Sequence, residues 1–518
     1  MDPIAITLGV LALAVVAFVW NRIPVGVVAI GVAMALYATG VLTLQQSLAG
    51  FGDPVIIFIA ALFVVSEGLD ATGVTTWAGQ QLTERAGTDR RRIVALVMIL
   101  VAVVTALISV NGAVAALIPM VVVLAMRIRQ PPSQLLMPLA FGAHAGSLLV
   151  LTGTPVNVLV SEVAAGAGER PFGFFEFGLV GVPLLIGTIL ITVLFGPVLL
   201  PKRNAAAGPR DLSAHAATIA AQYALTDAEA QLTRESGLTE VIVLPRSALV
   251  GESVFPGMVT DSGELVVVAI HRSGEDVGRT ELLAGDVLLV RGTWDALDAN
   301  TADPGVAVVD RPEAIRRQAV PMGAKAPAAL VILAGMVILL ATGLVAPAVA
   351  ALLAASAMVL MRVVSVAQAH RSISWTTLIL VGGMIPLSTA IEVSGAADLI
   401  ADTLVATMGG ASPYFLLFGL ALVTAILGQL ISNMATALIV APIAVAIAVE
   451  TGISPLPLLM GVAVAAAASF LTPVATPANT MVMGPGGYRF GDYWKLGLPL
   501  LVLFVVVATF LVPVIWAF

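Results

Sequence analysis

Twelve apolar runs dominate this chain, most close to or beyond the ~20 residues that a helix needs to cross a hydrocarbon layer. They are Ile4–Trp20, Pro24–Val41, Pro54–Thr72, Ile93–Met126, Ser133–Val163, Leu179–Leu200, Ala326–Thr342, Ala346–Met361, Thr376–Val393, Tyr414–Val449, Leu456–Met483 and Leu496–Phe518. A soluble domain carries about 25% charged residues, whereas this chain has 11% charged and 59% hydrophobic. The charges are also concentrated. Residues 202–325 hold 12 of the 24 Lys+Arg and 17 of the 31 Asp+Glu. The expected class is an all-α polytopic membrane protein, with membrane segments 1–201 and 326–518 around one soluble insert, 202–325. The first run lacks a basic leader and runs straight into a second span, which does not fit a cleavable signal. Cysteine is absent, which excludes disulfides, thiol nucleophiles and Cys zinc sites. No hydrolase triad, metal cluster or GxxxxGK[ST] loop is present, so no enzyme activity and no nucleic-acid partner is expected, and an ion gradient or a partner must supply any transport energy.

Two runs, Ile93–Met126 and Tyr414–Val449, are much longer than one crossing, and each is interrupted near its middle. The interruptions are Ser109-Val-Asn111-Gly112 and Ser432-Asn433. Lys and Arg near helix ends favour the cytoplasm. Arg85, Arg90, Arg91 and Arg92 precede the first long run and Arg127 and Arg129 follow it, while no Lys or Arg lies between Arg371 and Arg489. A re-entrant hairpin from each side (about 93–126 and 414–449, turning at Asn111 and Asn433) satisfies both patterns. Ten spans plus two hairpins then place the insert in the cytoplasm and both termini outside, with Arg170 the one outlying basic residue.

A repeat at one constant offset leads to the same arrangement. Asn433 stands as far beyond Asn111 as Asn479 beyond Asn157, Gly395 beyond Gly73, and Thr476-Pro477 beyond Thr154-Pro155. Each half therefore reads as five spans and one hairpin. Five is odd, so the halves are inverted, the build of many secondary transporters with a site near the midplane. Irregular backbone at membrane depth is tolerated only against protein or a wet cavity. Four such breaks occur, at Asn111-Gly112, Gly153–Asn157, Ser432–Met434 and Thr472–Asn479. Their free carbonyls suit a hard cation, and the half-helix N-termini suit an anion. Glu67, Asp70 and Glu392 lie near predicted helix ends and read as interfacial residues. His144, inside the fourth span, reads as a hydrogen-bonded core residue.

The segments Ile431–Ala437 and Leu471-Thr-Pro473…Asn479…Gly484-Pro-Gly-Gly-Tyr488-Arg489-Phe490 resemble the divalent anion:sodium symporters, with both membrane halves taking part. Within that family the chain is most similar to the sulfate-permease-like branch carrying TrkA-C modules. The resemblance implies Na⁺-coupled symport of a small divalent oxyanion by an elevator movement in a homodimer, with sulfate favoured over a C4-dicarboxylate. It implies substrate contacts at Asn111, Gly112, Thr154, Pro155, Ser432, Asn433, Met434, Thr476 and Pro477. The implied Na⁺ contacts are Ser109, Asn111, Gly153, Asn157, Ser432, Asn433, Ala475 and Asn479. The family's tips read Ser-Asn-Thr; here they read Val110-Asn111-Gly112 and Ser432-Asn433-Met434.

Within the insert, Leu238–Asn300 alternates strand-like runs with turns, and the runs Leu238–Pro245, Leu249–Gly251, Leu265–Ile270 and Leu283–Gly292 resemble one TrkA-C (RCK-C) module, about 238–300, of small α/β type. Such a module implies a small-ligand or nucleotide effector, or simply a dimer clamp. It also keeps open an RCK-C-regulated cation antiporter or ion channel; a scaffold is the third class. The expected location is the inner (plasma) membrane, with the lipid bilayer and a small anion as partners.

Overall fold

The computed structural model describes residues 2–20, 22–75, 77–78, 81, 89–203, 219, 221–223, 232–233, 235–301, 303–312, 315, 322–396, 399 and 412–518, without the side chains of residues 127 and 392. Arg85, used for orientation, lies outside the described residues. Two compact units emerge. One comprises Met1–Glu67, Leu82–Pro209 and Val331–Phe518, the other Gly68–Gln81 and Arg210–Leu330.

The first unit is helical. Among the described residues six helices are long and apolar enough to cross a membrane, seven if the bent pair Val366–Ser372 and Trp375–Ile391 is taken as one span. Some expected spans are shorter, notably Val25–Ala38 and Pro347–Leu360, each of 14 residues. Two short helices were not expected, Leu44–Ala49 and Val366–Ser372. Each opens on a capping box, Thr43 with Gln46 and Ser365 with Gln368, in which side chain and backbone exchange hydrogen bonds. The two boxes are themselves related by the repeat offset.

Burial shows what lies at the centre. Only Thr7, Ala14 and Phe18 are buried in the outer helix Pro3–Trp20. Every residue of Leu136–Gly146 is buried, as is all of Pro455–Ala467 except Leu456. These two helices are rich in Ala and Gly, whose small size lets backbones approach closely where apolar lipid gives helices no hydrophobic reason to associate. Both belong to the runs with a Thr-Pro-x-Asn break.

Each long run is two helices: Arg90–Leu107 with Val110–Arg127, and Pro413–Leu430 with Asn433–Thr451. The limbs have 18 or 19 residues, about 27 Å at 1.5 Å per residue. Each limb by itself comes close to the ~30 Å of the hydrocarbon layer. Limb length does not separate a hairpin from a crossing pair; the side on which the ends lie does.

The second unit contains a five-stranded sheet ordered β4-β3-β6-β1-β7 and a separate pair β2-β5. The strands are β1 (Ser236–Val243), β2 (Ser253–Val254), β3 (Leu265–Arg272), β4 (Glu275–Asp276), β5 (Thr280–Glu281), β6 (Val287–Thr293) and β7 (Val306–Val308). Neighbouring strands are antiparallel. Inward residues Val241, Val243, Leu265, Val267, Leu288 and Val290 pack on Trp294 and Leu297 of the helix Trp294–Asn300. The strand-like run Leu249–Gly251 is a turn, because Gly251 adopts φ +92°, a region that only glycine enters without strain. Asp286 is buried in the turn before β6, where the Arg272 guanidinium grips it at 2.7 Å and holds its carboxyl below the usual carboxylate range.

Candidate functional site

At the break in the first long run the helix ends at Ile108, and the extended Ser109 caps the next helix: its Oγ accepts from the Gly112 N–H at 3.2 Å. The second long run repeats this, with Ser432 Oγ accepting from the Ala435 N–H at 3.3 Å. An extended serine can satisfy one of the N–H groups a helix start leaves bare, which explains why the chain breaks there. The turns therefore fall at Ile108–Ser109 and Ile431–Ser432. Asn111 and Asn433, expected at the turning points, instead occupy the first turn of each returning limb.

The two asparagines differ in setting. Asn111 is exposed, while Asn433 is half-buried and its Oδ1 accepts from Ser469 Oγ at 2.5 Å. Beside them, Gly112 and Ser432 are half-buried and Met434 is buried.

The broken spans share a second design. Leu136–Gly146 gives way to an irregular stretch with a 3₁₀ turn at Leu151–Gly153, then Thr154 caps Pro155–Gly166. Pro455–Ala467 gives way to residues 468–476, and Thr476 caps Pro477–Met483. Proline at the first helical position needs no N–H partner there. The asparagine two residues after each proline then ties the loose stretch together. Asn157 Nδ2 donates to Ser147 O at 2.8 Å and Val150 O at 3.0 Å; Asn479 Nδ2 donates to Ser469 O at 2.8 Å and Thr472 O at 3.0 Å. All three positions of the second set follow those of the first by the repeat offset. Ala475 is buried, and its counterpart Gly153 sits so close to the Ser147 carbonyl that a Cβ would collide with it.

A glycine from a later helix closes each break. A Cβ on Gly181 would strike Leu148 O, and one on Gly497 would strike Phe470 O, carbonyls that again match under the repeat offset. Gly181→Ala and Gly497→Ala are each expected to destabilise the protein by about 1–3 kcal/mol, the usual cost of overpacking. Gly335→Ala has open space within 4 Å and should cost nothing. Thermal unfolding midpoints of the purified variants measure the difference.

The long runs are hydrogen-bonded to the broken spans. Thr152 Oγ1 donates to Ala106 O at 3.3 Å in the first half. In the second, Gln429 Nε2 donates to Ala468 O at 2.9 Å and Oε1 accepts from the Leu471 N–H at 2.8 Å. Sequence reasoning missed Gln429 and Ser469; the available signal was a buried amide four residues before Asn433 in an otherwise apolar limb. His144 joins the halves. Its Nε2 lies 3.2 Å from Asn479 Oδ1 and 3.2 Å from Thr476 Oγ1, and its ring meets Phe470 edge-on. Among the described residues no group of three or more His, Cys, Asp or Glu could hold a metal. What the breaks offer is uncharged: hydroxyls, amides, carbonyls and helix N-termini, suited to a hard monovalent cation and to an anion's oxygens.

Comparison with known proteins bears on this arrangement. A family model described as "Citrate transporter" matches residues 15–449 and 403–518. The chain is 31% identical to the uncharacterized transporter YfbS of Escherichia coli, with 99% of each covered. It is 25% identical to the probable sodium/sulfate cotransporter 3 of Chlamydomonas reinhardtii, over 53% of this chain and 32% of that one. It is 32% identical to the sodium-dependent dicarboxylate transporter SdcS of Staphylococcus saprophyticus, over 28% of each. The YdaH transporter of Alcanivorax borkumensis shares the fold at a TM-score of 0.51 and 14% identity, covering 97% of this chain and 98% of that one.

Proposed function

The chain belongs to the citrate transporter family, and from that premise we propose that it is a secondary active transporter moving a small divalent oxyanion together with Na⁺. It is a multi-pass membrane protein. The observation that carries the proposal is the matched pair of breaks. Two asparagines, equivalent under the repeat, hold equivalent carbonyls at equivalent distances beside a capped half-helix. Such a pair supports an anion at the helix N-termini, flanked by cation sites where carbonyl and amide oxygens gather. Substrate contacts are then Asn111, Gly112, Thr154, Pro155, Ser432, Asn433, Met434, Thr476 and Pro477. Ser109, Gly153, Asn157, Ala475 and Asn479 join the tip residues around Na⁺.

Sulfate is the favoured substrate and a C4-dicarboxylate the next. Uptake of radiolabelled sulfate into proteoliposomes, competed with succinate and with citrate, tests this. Sulfate entry resisted by excess unlabelled succinate and citrate supports it; entry only of labelled succinate or citrate refutes the sulfate assignment.

The matched contacts support an inverted repeat of five spans and one re-entrant hairpin each, working by an elevator movement in a homodimer. On this reading the insert is a cytoplasmic TrkA-C-like module whose effector is a small ligand or nucleotide, and both termini lie outside. Cysteines at Gly87 and Gln130 should both be labelled from the cytoplasm, and cysteines at Gly410 and Ile453 both from outside. Labelling of either pair from opposite faces would replace the hairpin by two crossings. Of these positions, Gly87 and Gly410 lie outside the described residues.

A further inference from the structure

The two asparagines that tie the breaks together make the same contacts with nitrogen and different ones with oxygen. Asn479 Nδ2 lies 2.8 and 3.0 Å from two carbonyl oxygens, which can only accept, so the amide orientation is fixed and Oδ1 is what faces His144 at 3.2 Å. An amide oxygen cannot donate, so His144 Nε2 carries the hydrogen. The same reasoning orients Asn157, whose Nδ2 is committed to Ser147 O and Val150 O. Its Oδ1 is fully buried and finds no donor among the described residues. The helix packing is reciprocal, with Leu136–Gly146 against Pro477–Met483 and Pro455–Ala467 against Pro155–Gly166. The counterpart of His144 under the repeat offset is Ala466, fully buried and without a polar atom to offer.

A buried amide oxygen normally has a partner. In the second half that partner is an N–H from the protein itself. In the first half that oxygen has no such partner among the described residues. We propose that the two halves bind cations unequally: of the two Na⁺ clusters named under the proposed function only the one around Asn157 fills, and the His144 N–H takes the place of the second Na⁺ at Asn479, which leaves Ala475 and Asn479 out of the working cation set. One coupling Na⁺ per chain follows, on an otherwise duplicated frame. This rests on the Na⁺-coupled reading above. His144 acts as a positioning residue, holding Asn479 without touching substrate.

Equilibrium binding of radiolabelled sodium to the purified full chain, without any anion, provides the test. The unmodified protein should bind one Na⁺ per chain. His144→Ala makes the second half resemble the first and should raise the count to two, whereas His144→Gln, which keeps an N–H donor, should leave it at one. Asn479→Ala should still bind one, which covers the case in which His144→Ala fails to fold. Two Na⁺ on the unmodified chain, a count that stays at one in folded His144→Ala, or loss of all Na⁺ in folded Asn479→Ala overturns the inference and leaves symport standing. No Na⁺ on the unmodified chain overturns the symport reading itself, and this inference with it.

Discussion

Replacing Asn433 by alanine should reduce Na⁺-driven uptake by about 10–100-fold, the usual cost of losing a residue that holds or orients an ion's ligands, while leaving the protein folded. The cap that starts the second helix of this run belongs to Ser432, whose Oγ meets the Ala435 N–H, so the helix start survives the change. What is lost is the amide oxygen that Ser469 Oγ reaches at 2.5 Å, the contact joining the hairpin tip to the second break. Asn111→Ala should have the same effect at the other tip. There Ser109 caps the limb in the same way, and the asparagine is exposed, so little packing is at stake. Uptake near wild-type level in either monodisperse variant would remove the tips from the mechanism.

A second large effect is expected at Asp492→Ala, this time on stability. Asp492 is 4% exposed; its carboxylate faces Arg203 Nη1 at 2.5 Å and accepts from the Arg489 N–H at 2.8 Å. Arg203 Nη1 also reaches Gly487 O at 3.3 Å, and neighbouring Tyr488 bridges to the first half, donating to Ser133 O at 2.6 Å and accepting from the Met137 N–H at 2.8 Å. Removing the carboxylate strands the arginine. Because Arg203 keeps 33% of its side chain exposed, water compensates part of the loss, and a cost of about 1.5–3 kcal/mol is expected, that of hydrogen bonds to charged groups. Arg170→Ala provides the contrast. That arginine is 56% exposed in its pair with Glu176, and exposed pairs contribute about 0–1 kcal/mol. Thermal midpoints of the two variants should separate accordingly; equal midpoints would show that the Asp492 pair does not lock the fold.

How far these features can be read from the residues alone depends on their range. Hydropathy located the helices, since bilayer length is a coarse filter, and the constant offset between the halves located the breaks. The offset could have gone further: Thr43-x-x-Gln46 and Ser365-x-x-Gln368 are both capping boxes, yet the helices they open, six and seven residues long, lie below any spanning-length threshold. The turning residue was misplaced because asparagine is the more conspicuous polar group, whereas extended backbone and a short hydroxyl select serine for the cap. The Leu249–Gly251 run looked like a strand because its apolar residues outweighed one glycine. The pairing of His144 with Asn479 spans 335 residues and breaks the repeat's symmetry, so neither periodicity nor the offset points to it. Burial of a polar histidine was visible; its partner was not.

Na⁺ flowing down its gradient should drive the anion inward, and proteoliposomes test this directly. Radiolabelled sulfate should accumulate above its external concentration when Na⁺ is outside and K⁺ inside. The accumulated label should leak out once a sodium ionophore collapses the gradient. Equal accumulation with external Na⁺ replaced by K⁺, or accumulation driven by a proton gradient in sodium-free buffer, would contradict it.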